Sequence, residues 1–447
     1  MINDTIAAVS TPQGLGAVGI VRMSGDKAKE ISDKIFSTKE KDRKPNVLYL
    51  GTATTADLKD KVLCVYFAAP RSFTGEDVVE FQCHGGRVIV ESILKECIRL
   101  GARLATNGEF SRRAFLNGKM DLTSVEGMAD MINAESVAAE KLAYSQFKGE
   151  IYNTAKKLQD ELETVIAYVE ASFDYPEEDM PAINVPEVTN TLLRQRDILK
   201  KLISTYSLGS AVKNGISVAI VGKPNVGKSS LLNAILGYDR AIVTDIAGTT
   251  RDVLTSSYTY KGVLFNLFDT AGIRETSDTI EKIGVKIAKN TLEEADIVLA
   301  VFDTNTKFSS EDKEILESVK GKKVIVVKNK TDLSDNLGEN FDDFDVISVS
   351  AKNNENVDSL KERLYELSGA GELLSTESAV ISSERQLIAL KEALCSIENS
   401  ILGVKTNFAD CLIIDVRNAW EKYGEITGTT ATEHIIDTIF SKLCLGK

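Results

Sequence analysis

No stretch of the 447-residue sequence reaches the roughly eighteen apolar residues that a helix needs to cross a bilayer. The opening MINDTIAAVSTPQG also lacks the basic segment followed by an apolar one that marks a secretory leader, so a cytoplasmic protein with no membrane span is expected. Cysteine is sparse. Cys64, Cys83, Cys97, Cys395, Cys411 and Cys444 show no C-x-x-C spacing, and only His84 and His434 could join them as ligands, so neither a structural zinc nor a disulfide framework is expected. Basic residues are outnumbered, 53 Lys and Arg against 66 Asp and Glu, and a net charge of -13 excludes a surface that coats nucleic acid as a whole. The densest basic stretch, KEKDRKPN at 39–46, mixes signs and is expected to be a solvated loop. Internal repeats and low-complexity tracts are absent.

Hydrophobic content, at 43%, is ample for buried cores, and this length implies two to four domains. In residues 1–117 short apolar runs (AVGIVRM, KVLCVYFA, DVVEFQC) mix with helical stretches such as VIVESILKECIRL, which reads as an α+β domain. In residues 118–212 the pattern turns helical. Ile151, Ala155, Leu158, Leu162, Ile166 and Val169 form one stripe that requires a partner helix. In residues 213–370 the β-type runs ISVAIV, VLFNLFD, DIVLAVFD, KKVIVVKN and DVISVSA alternate with helical ones, which implies a largely parallel, doubly wound sheet. Residues 371–447 are helical again. Neither helical flank buries its stripe alone, so the economical arrangement inserts the α/β unit between two parts of one helical domain.

ISVAIV leads straight into GKPNVGKSS at 222–230, and helical KSSLLNAIL follows. Strand, glycine loop and helix in this order make a phosphate cradle. Backbone amides and the helix N-terminus surround the phosphates, Lys228 reaches the β and γ oxygens, and Ser229 binds Mg2+. The base is read elsewhere, in Asn329-Lys330-Thr331-Asp332. The Asp332 carboxylate can accept both the ring N–H and the exocyclic amine of guanine, a donor pair that adenine lacks. Ser350-Ala351-Lys352 adds a backbone amide near the guanine oxygen. Asp269 of DTAG can hold Mg2+ through water, Gly272 can offer its amide to the γ-phosphate, and Thr250 of AGTTRD is the natural second Mg2+ ligand. Together these motifs describe a GTPase.

The glutamine that orients the attacking water in Ras-like proteins is missing: its position is Ile273. Arg251 and Arg274 as fingers, and Asp278 or Glu281 as water-positioning carboxylates, stand as open candidates.

The combination of GKPNVGKSS, TDIAGTTRD, DTAGIRE, NKTD, the N-terminal TGEDVVEFQCHGG and GEFSRRAFLNGKMDL, and the terminal CLGK resembles the TrmE/MnmE family of tRNA-modifying GTPases over essentially the whole chain. The resemblance implies a multidomain chain: an α+β folate-binding N-terminal domain that makes a homodimer, an α-helical domain, and an inserted α/β P-loop GTPase (Ras-like) domain. It brings Asn225, Val226, Gly227, Ser230, Thr244, Asp245, Ile246, Ala247, Gly248, Thr249, Thr270 and Ala271 into the set of nucleotide contacts. It further implies G domains that pair across their nucleotides, with K+ standing where an arginine finger would; the matching ligands are Asn225, Thr244, Ile246 and Thr249. Oxygen ligands that hold a cation beside the phosphates suit the negative charge that accumulates there. The family's catalytic carboxylate falls on Glu281, with Thr249 and Thr250 in the same catalytic set.

The resemblance also implies an FAD-containing partner, MnmG, in a heterotetramer that acts on tRNA. The product carries a carboxymethylaminomethyl or aminomethyl group on C5 of the wobble uridine, with 5-formyl- or 5,10-methylene-tetrahydrofolate supplying the carbon. Folate contacts map to Arg22, Glu80, Lys119 and Lys447. Alternation sets Arg22 on the face of Val18 and Ile20, where a charge asks for a partner, and Glu80 on the face of Gln82 and His84. Cys444 matches a near-terminal cysteine with a proposed role in the modification. A GTP-switched assembly factor that binds ribosomal RNA would share the G motifs, but would be expected to carry a basic RNA-binding module in place of the CLGK end.

Overall fold

The computed structural model describes every residue except 1–3, 13, 41, 175–184, 238–254, 270–291, 335, 340, 376–378, 407–408, 445 and 447. The chain divides into two compact units. One comprises Met1–Ala129, Phe147–Thr189 and Ser396–Lys447, the other Asp130–Gln146 and Asn190–Cys395.

The first unit holds a seven-stranded sheet of β1 (Ile6–Val9), β2 (Val18–Ser24), β3 (Phe36–Ser37), β4 (Leu48–Thr54), β5 (Lys59–Phe67), β6 (Val78–His84) and β7 (Arg103–Leu104), in the order β3-β4-β5-β6-β2-β1-β7. Only the β1–β7 pairing is parallel. Strand alternation sends Val21, Met23, Val62, Cys64, Val79 and Phe81 under the Ala28–Ile35 and Arg87–Arg99 helices, where they pack with Ile31, Ile35, Ile93 and Cys97. Each such side chain contributes about 1.5–3 kcal/mol by leaving water. The opposite face carries Arg22, Glu80 and Gln82 among apolar residues, and Leu48 and Leu50 of β4 remain 46% and 68% exposed there.

The stretch at 39–46 is, as expected, a loop whose described residues are exposed, with Arg43 as the exception. Arg43 buries its guanidinium, which donates to Cys64 Sγ (3.1 Å) and Ser32 Oγ (2.7 Å), pairs with Asp33 and lies over Phe36. A planar, weakly hydrated guanidinium with a fork of donors can be buried where acceptors converge, which a charge pattern alone does not reveal. Burial beside it pushes the Cys64 thiol up to about 12.

The helical stripe finds its partner in the Ala409–Thr427 helix, packed against Glu150–Asp174. Leu158, Leu162, Val165 and Val169 are buried on one helix, and Val416, Ala419, Tyr423 and Ile426 on the other. Val165 takes the inner place that the sequence pattern assigned to Ile166, which is half-buried. The 4-3-4 spacing of a helix–helix seam selects 165 between 162 and 169.

A buried charge cluster ties the Glu109–Leu116 helix to the start of the chain. Arg113, 2% exposed, donates to the Asp4 carbonyl (2.9 Å), Asp4 Oδ1 (2.6 Å), Glu76 Oε2 (3.1 Å) and Glu109 Oε1 (3.2 Å). Arg103 grips Glu109 from the other side at 2.7 and 3.0 Å.

The second unit is built on a six-stranded sheet of β8 (Ile216–Val221), β9 (Thr255–Tyr260), β10 (Val263–Asp269), β11 (Ile297–Asp303), β12 (Lys323–Asn329) and β13 (Asp345–Val349), ordered β13-β12-β11-β8-β10-β9. All neighbours run parallel except β9 and β10. β11 is buried along its whole length, and its alternate side chains feed two cores, Leu299 and Val301 into one, Val298, Ala300 and Phe302 into the other. β9, TSSYTY, is too polar to stand out in the sequence; its pairing with β10 through the Lys261-Gly262 turn makes it a strand. The C-terminal ends of β8, β10, β11 and β12 converge on one edge, where doubly wound sheets bind ligands.

Candidate functional site

At the end of β8 the chain turns through Gly222–Gly227 into the Lys228–Leu236 helix. Gly227 takes φ +96°, and a side chain there would run into Asn329 Nδ2 at 2.4 Å, so the loop requires glycine for conformation and for space. Lys228 is 7% exposed, and its ammonium donates to the carbonyls of Gly222 (2.7 Å) and Lys223 (2.8 Å). Desolvation lowers its pKa, with Asp269 acting in opposition. A nearly buried cation held by two carbonyl dipoles at a helix N-terminus is poised for an anion.

Lys223 anchors the loop from outside. Its ammonium pairs with Asp312 (2.6 Å) and donates to Ser309 Oγ (3.0 Å), and these two residues form the capping box of the Ser310–Ser318 helix.

The base-reading motif meets the phosphate loop directly. Asn329, 1% exposed, donates to the Val226 carbonyl (2.9 Å) and accepts from the Ala351 amide (3.1 Å), so one side chain joins β12, the cradle and the Ser350–Lys352 turn. Lys330 donates to the Asn225 carbonyl (2.8 Å) and to Asp303 Oδ2 (2.6 Å). Asp332 stands exposed, and Ser350 Oγ donates to its Oδ1 at 2.7 Å; that hydrogen bond lowers the carboxyl pKa and keeps it ionised.

Ser229 Oγ donates to Asp269 Oδ2 at 3.0 Å. A hydroxyl and a carboxylate side by side at the cradle's edge are all-oxygen donors, the set a hard cation such as Mg2+ takes together with phosphate oxygens and water. Among the described residues no group of three or more His, Cys, Asp and Glu could hold a metal ion. Thr244, Asp245, Ile246, Ala247, Gly248, Thr249, Thr250, Thr270, Ala271, Gly272 and Glu281 lie outside the described residues, as do Arg251, Arg274 and Asp278.

A second cluster occupies the first unit. Arg22 and Glu80 face each other across the β2–β6 register and pair at 2.8 Å. Arg22 lies 5.6 Å and 5.7 Å from the ring centres of Phe73 and Phe110 and donates to the Gly446 carbonyl at 3.4 Å. The chain's end is seated here: Leu443 is buried beside Phe440, and Gly446 (φ +91°) passes so close to Val9 that a side chain would meet its carbonyl at 2.3 Å. Cys444 between them is exposed. Lys119 donates to the Pro70 carbonyl at 2.9 Å, on the loop that carries Phe73. Lys447 lies outside the described residues.

Sequence reasoning passed over Lys223, Asp303, Asp312, Phe73 and Phe110. A signal existed for Asp303, which ends β11 as Asp269 ends β10, on the edge where ligands bind. Asp312 and the two rings lie in ordinary helix and loop contexts and carried none.

Two family patterns match this chain. The pattern described as "GTP-binding protein TrmE N-terminus" matches residues 5–119, and that of the "MnmE helical domain" matches residues 122–444. Three curated relatives bear the name tRNA modification GTPase MnmE. The protein of Clostridioides difficile is 38% identical and that of Natranaerobius thermophilus 40%, each match covering 100% of both chains. That of Ligilactobacillus salivarius is 40% identical over 99% of this chain and 98% of its own. Among solved structures, Era from Aquifex aeolicus shares 32% identity over 40% of this chain and 65% of its own, at a TM-score of 0.28, too loose an overlap to bear on the fold. With full-length relatives and both of its characteristic domains matched, this chain belongs to the MnmE family of tRNA modification GTPases.

Proposed function

We propose that the chain hydrolyses GTP in the cytoplasm and, as a homodimer with an FAD-containing partner, MnmG, modifies C5 of the wobble uridine of tRNA with a one-carbon unit from tetrahydrofolate. The observation that carries this reading is the joining of two recognition elements by Asn329. Its amide ties the cradle around Lys228 to the turn that presents Ser350 and Asp332. A phosphate site and a guanine site are thereby held at a fixed separation.

Within that frame Lys228 neutralises the β and γ oxygens, and Ser229 with Asp269 would hold Mg2+, which when bound screens the phosphate charge. Asn225, at φ +65° on the cradle's rim, is the described member of the K+ ligand set. Bound there, K+ would supply the positive charge that an arginine finger supplies elsewhere. Glu281 positions the attacking water. Its replacement by alanine is expected to lower GTP turnover by about 10²-fold or more while leaving GTP affinity within about 2-fold, as read by single-turnover hydrolysis and nucleotide titration. Unchanged turnover would remove Glu281 from the mechanism. The rate per chain is also expected to be higher in K+ than in Na+ and to fall on dilution, because each cleft is completed by the other.

Arg22 and Glu80 fit a folate pterin, which offers neighbouring donors and acceptors to a paired guanidinium and carboxylate, with Phe73 and Phe110 giving flat apolar contact. The uncovered sheet face around them, with Leu48 and Leu50 exposed, supports a second copy as its cover. Arg22→Ala is expected to weaken binding of 5-formyltetrahydrofolate about 10-fold or more, since it removes charge-assisted hydrogen bonds. Isothermal titration measures this, and an unaltered affinity would place the folate elsewhere.

A further inference from the structure

The segment 303–312 runs from the end of β11 into the first turn of the Ser310–Ser318 helix, outside every phosphate-binding and guanine-reading motif, and it carries two buried carboxylates, Asp303 and Asp312. A buried charge is retained where a cation answers it. Each of these is answered by a lysine from a different motif. Lys330 of NKTD donates to Asp303 Oδ2 at 2.6 Å, and Lys223 of the phosphate loop pairs with Asp312 Oδ2 at 2.6 Å.

The two lysines belong to the two halves of the nucleotide site. Lys330, at φ +67°, also donates to the carbonyl of Asn225, itself at φ +65°. Left-handed backbone on residues other than glycine persists where the surroundings over-determine it, and Asp303 fixes the end of the side chain that joins these two. Lys223 offers its own carbonyl to the Lys228 ammonium at 2.8 Å, while Asp312 and Ser309 hold the far end of its side chain. Between the two carboxylates the segment is well anchored. Thr304 Oγ1 donates to the carbonyls of Asn329 (3.1 Å) and Lys330 (3.0 Å), and its own carbonyl accepts from the Asn336 amide (2.7 Å). Phe308 packs against Phe302 and Phe341, with ring centres 5.9 and 5.8 Å away. Helix capping accounts for the bonds between Ser309 and Asp312, but not for the lysine that both receive, nor for Asp303 at the other end of the segment.

We propose that residues 303–312 form a brace that sets the spacing between the phosphate cradle and the guanine-reading turn, with Asp303 and Asp312 as positioning residues that act through Lys330 and Lys223. The inference rests on the GTP reading above and deepens it: Asn329 joins the two recognition elements from within, and the brace holds them from outside. Two elements held at the right spacing bind a joined ligand far more tightly than either of its pieces, because engaging the second end is then intramolecular.

The test compares the full chain's affinity for GTP with that for inorganic triphosphate, which fills the cradle alone, each read by displacement of a fluorescent guanine nucleotide in Mg2+. Lys223→Met and Asp303→Asn are each expected to weaken GTP by about 10-fold or more, the scale of one charge-assisted hydrogen bond, while triphosphate stays within about 2-fold of the parent chain. Retained triphosphate binding also shows that each variant is folded. Lys223→Arg, which keeps the charge and the donors for Asp312, is expected to bring GTP back to within about 3-fold of the parent chain. Lys223→Met combined with Asp312→Asn is expected to be no weaker than Lys223→Met alone, because partners in one pair do not act additively. Equal losses for GTP and triphosphate would mean that these residues shape the cradle alone, and unchanged GTP affinity would mean that they support the fold without positioning; either result overturns the brace. A Lys223→Arg chain as weak as Lys223→Met, or additive losses in the combined variant, would overturn it as well. If GTP did not displace the guanine nucleotide from the parent chain, the GTP reading itself would fail and the brace with it.

Discussion

Asp332→Asn is expected to weaken GTP binding by about 10³-fold or more and to transfer the preference to xanthosine triphosphate, measured by displacement of a fluorescent guanine nucleotide. An ionised carboxylate only accepts, and guanine offers it two donors, the ring N–H and the exocyclic amine. Asparagine keeps the shape but turns a donor toward a donor, while xanthine, with an oxygen in place of the amine, accepts from that same N–H. The environment of Asp332 keeps this exchange local. Ser350, fully buried, holds Oδ1 at 2.7 Å, and Asn329 fixes the neighbouring turn through the Ala351 amide, so the substituted side chain starts in the geometry of the original. Retained guanine preference in the variant would show that another group reads the base.

The largest effect on stability is expected at Arg113. Arg113→Met leaves the carboxylates of Asp4, Glu76 and Glu109 without the cation that donates to all three, and breaking a buried charge cluster in this way costs about 3–5 kcal/mol. Urea unfolding followed by a probe in the first unit measures it, and a loss below about 1 kcal/mol would refute the cluster's role. The same cluster sets an acid response. Burial opposes the charge on Glu109, but hydrogen bonds from Arg103, the Thr106 amide and Arg113 outweigh it and hold the carboxyl at about 2, against an ordinary value of 4.5. A carboxyl depressed in the folded state stabilises fully above its unfolded value, and the contribution is lost as pH falls from about 4.5 towards 2. The urea midpoint is therefore expected to decline across that window. The decline should be shallower in Arg113→Met, where less depression remains to be lost.

How much of this was legible depended on how far apart the cooperating residues lie. The cradle could be read as a string because strand, glycine loop and helix are contiguous: the φ of Gly227 and the amides that follow it are consequences of the local chain. The base-reading residues were legible for a related reason, since NKTD and SAK each follow a β-type run and must emerge at the same edge of a parallel sheet. The helical stripe was visible too, but only its partner decided that Val165 and not Ile166 turns inward, since residues 165 and 166 are both apolar and the seam selects one. Arg43 was misplaced because a run of mixed charges reads as solvated wherever its acceptors are out of sight.

By itself the sequence determined the chemistry of each motif: a cation for phosphates, a carboxylate for guanine, an arginine at a strand position where a charge requires a partner. The tertiary structure alone decided which groups meet. Arg22 finds Glu80 across 58 residues of chain through strand register, and its second contact is the carbonyl of Gly446, 424 residues away. The same holds for Lys223 and Asp312. The physical reason is that backbone conformation is set by neighbours in the chain, whereas the pairing of distant charges and rings depends on register, helix phase and the area buried between elements, which no single segment encodes.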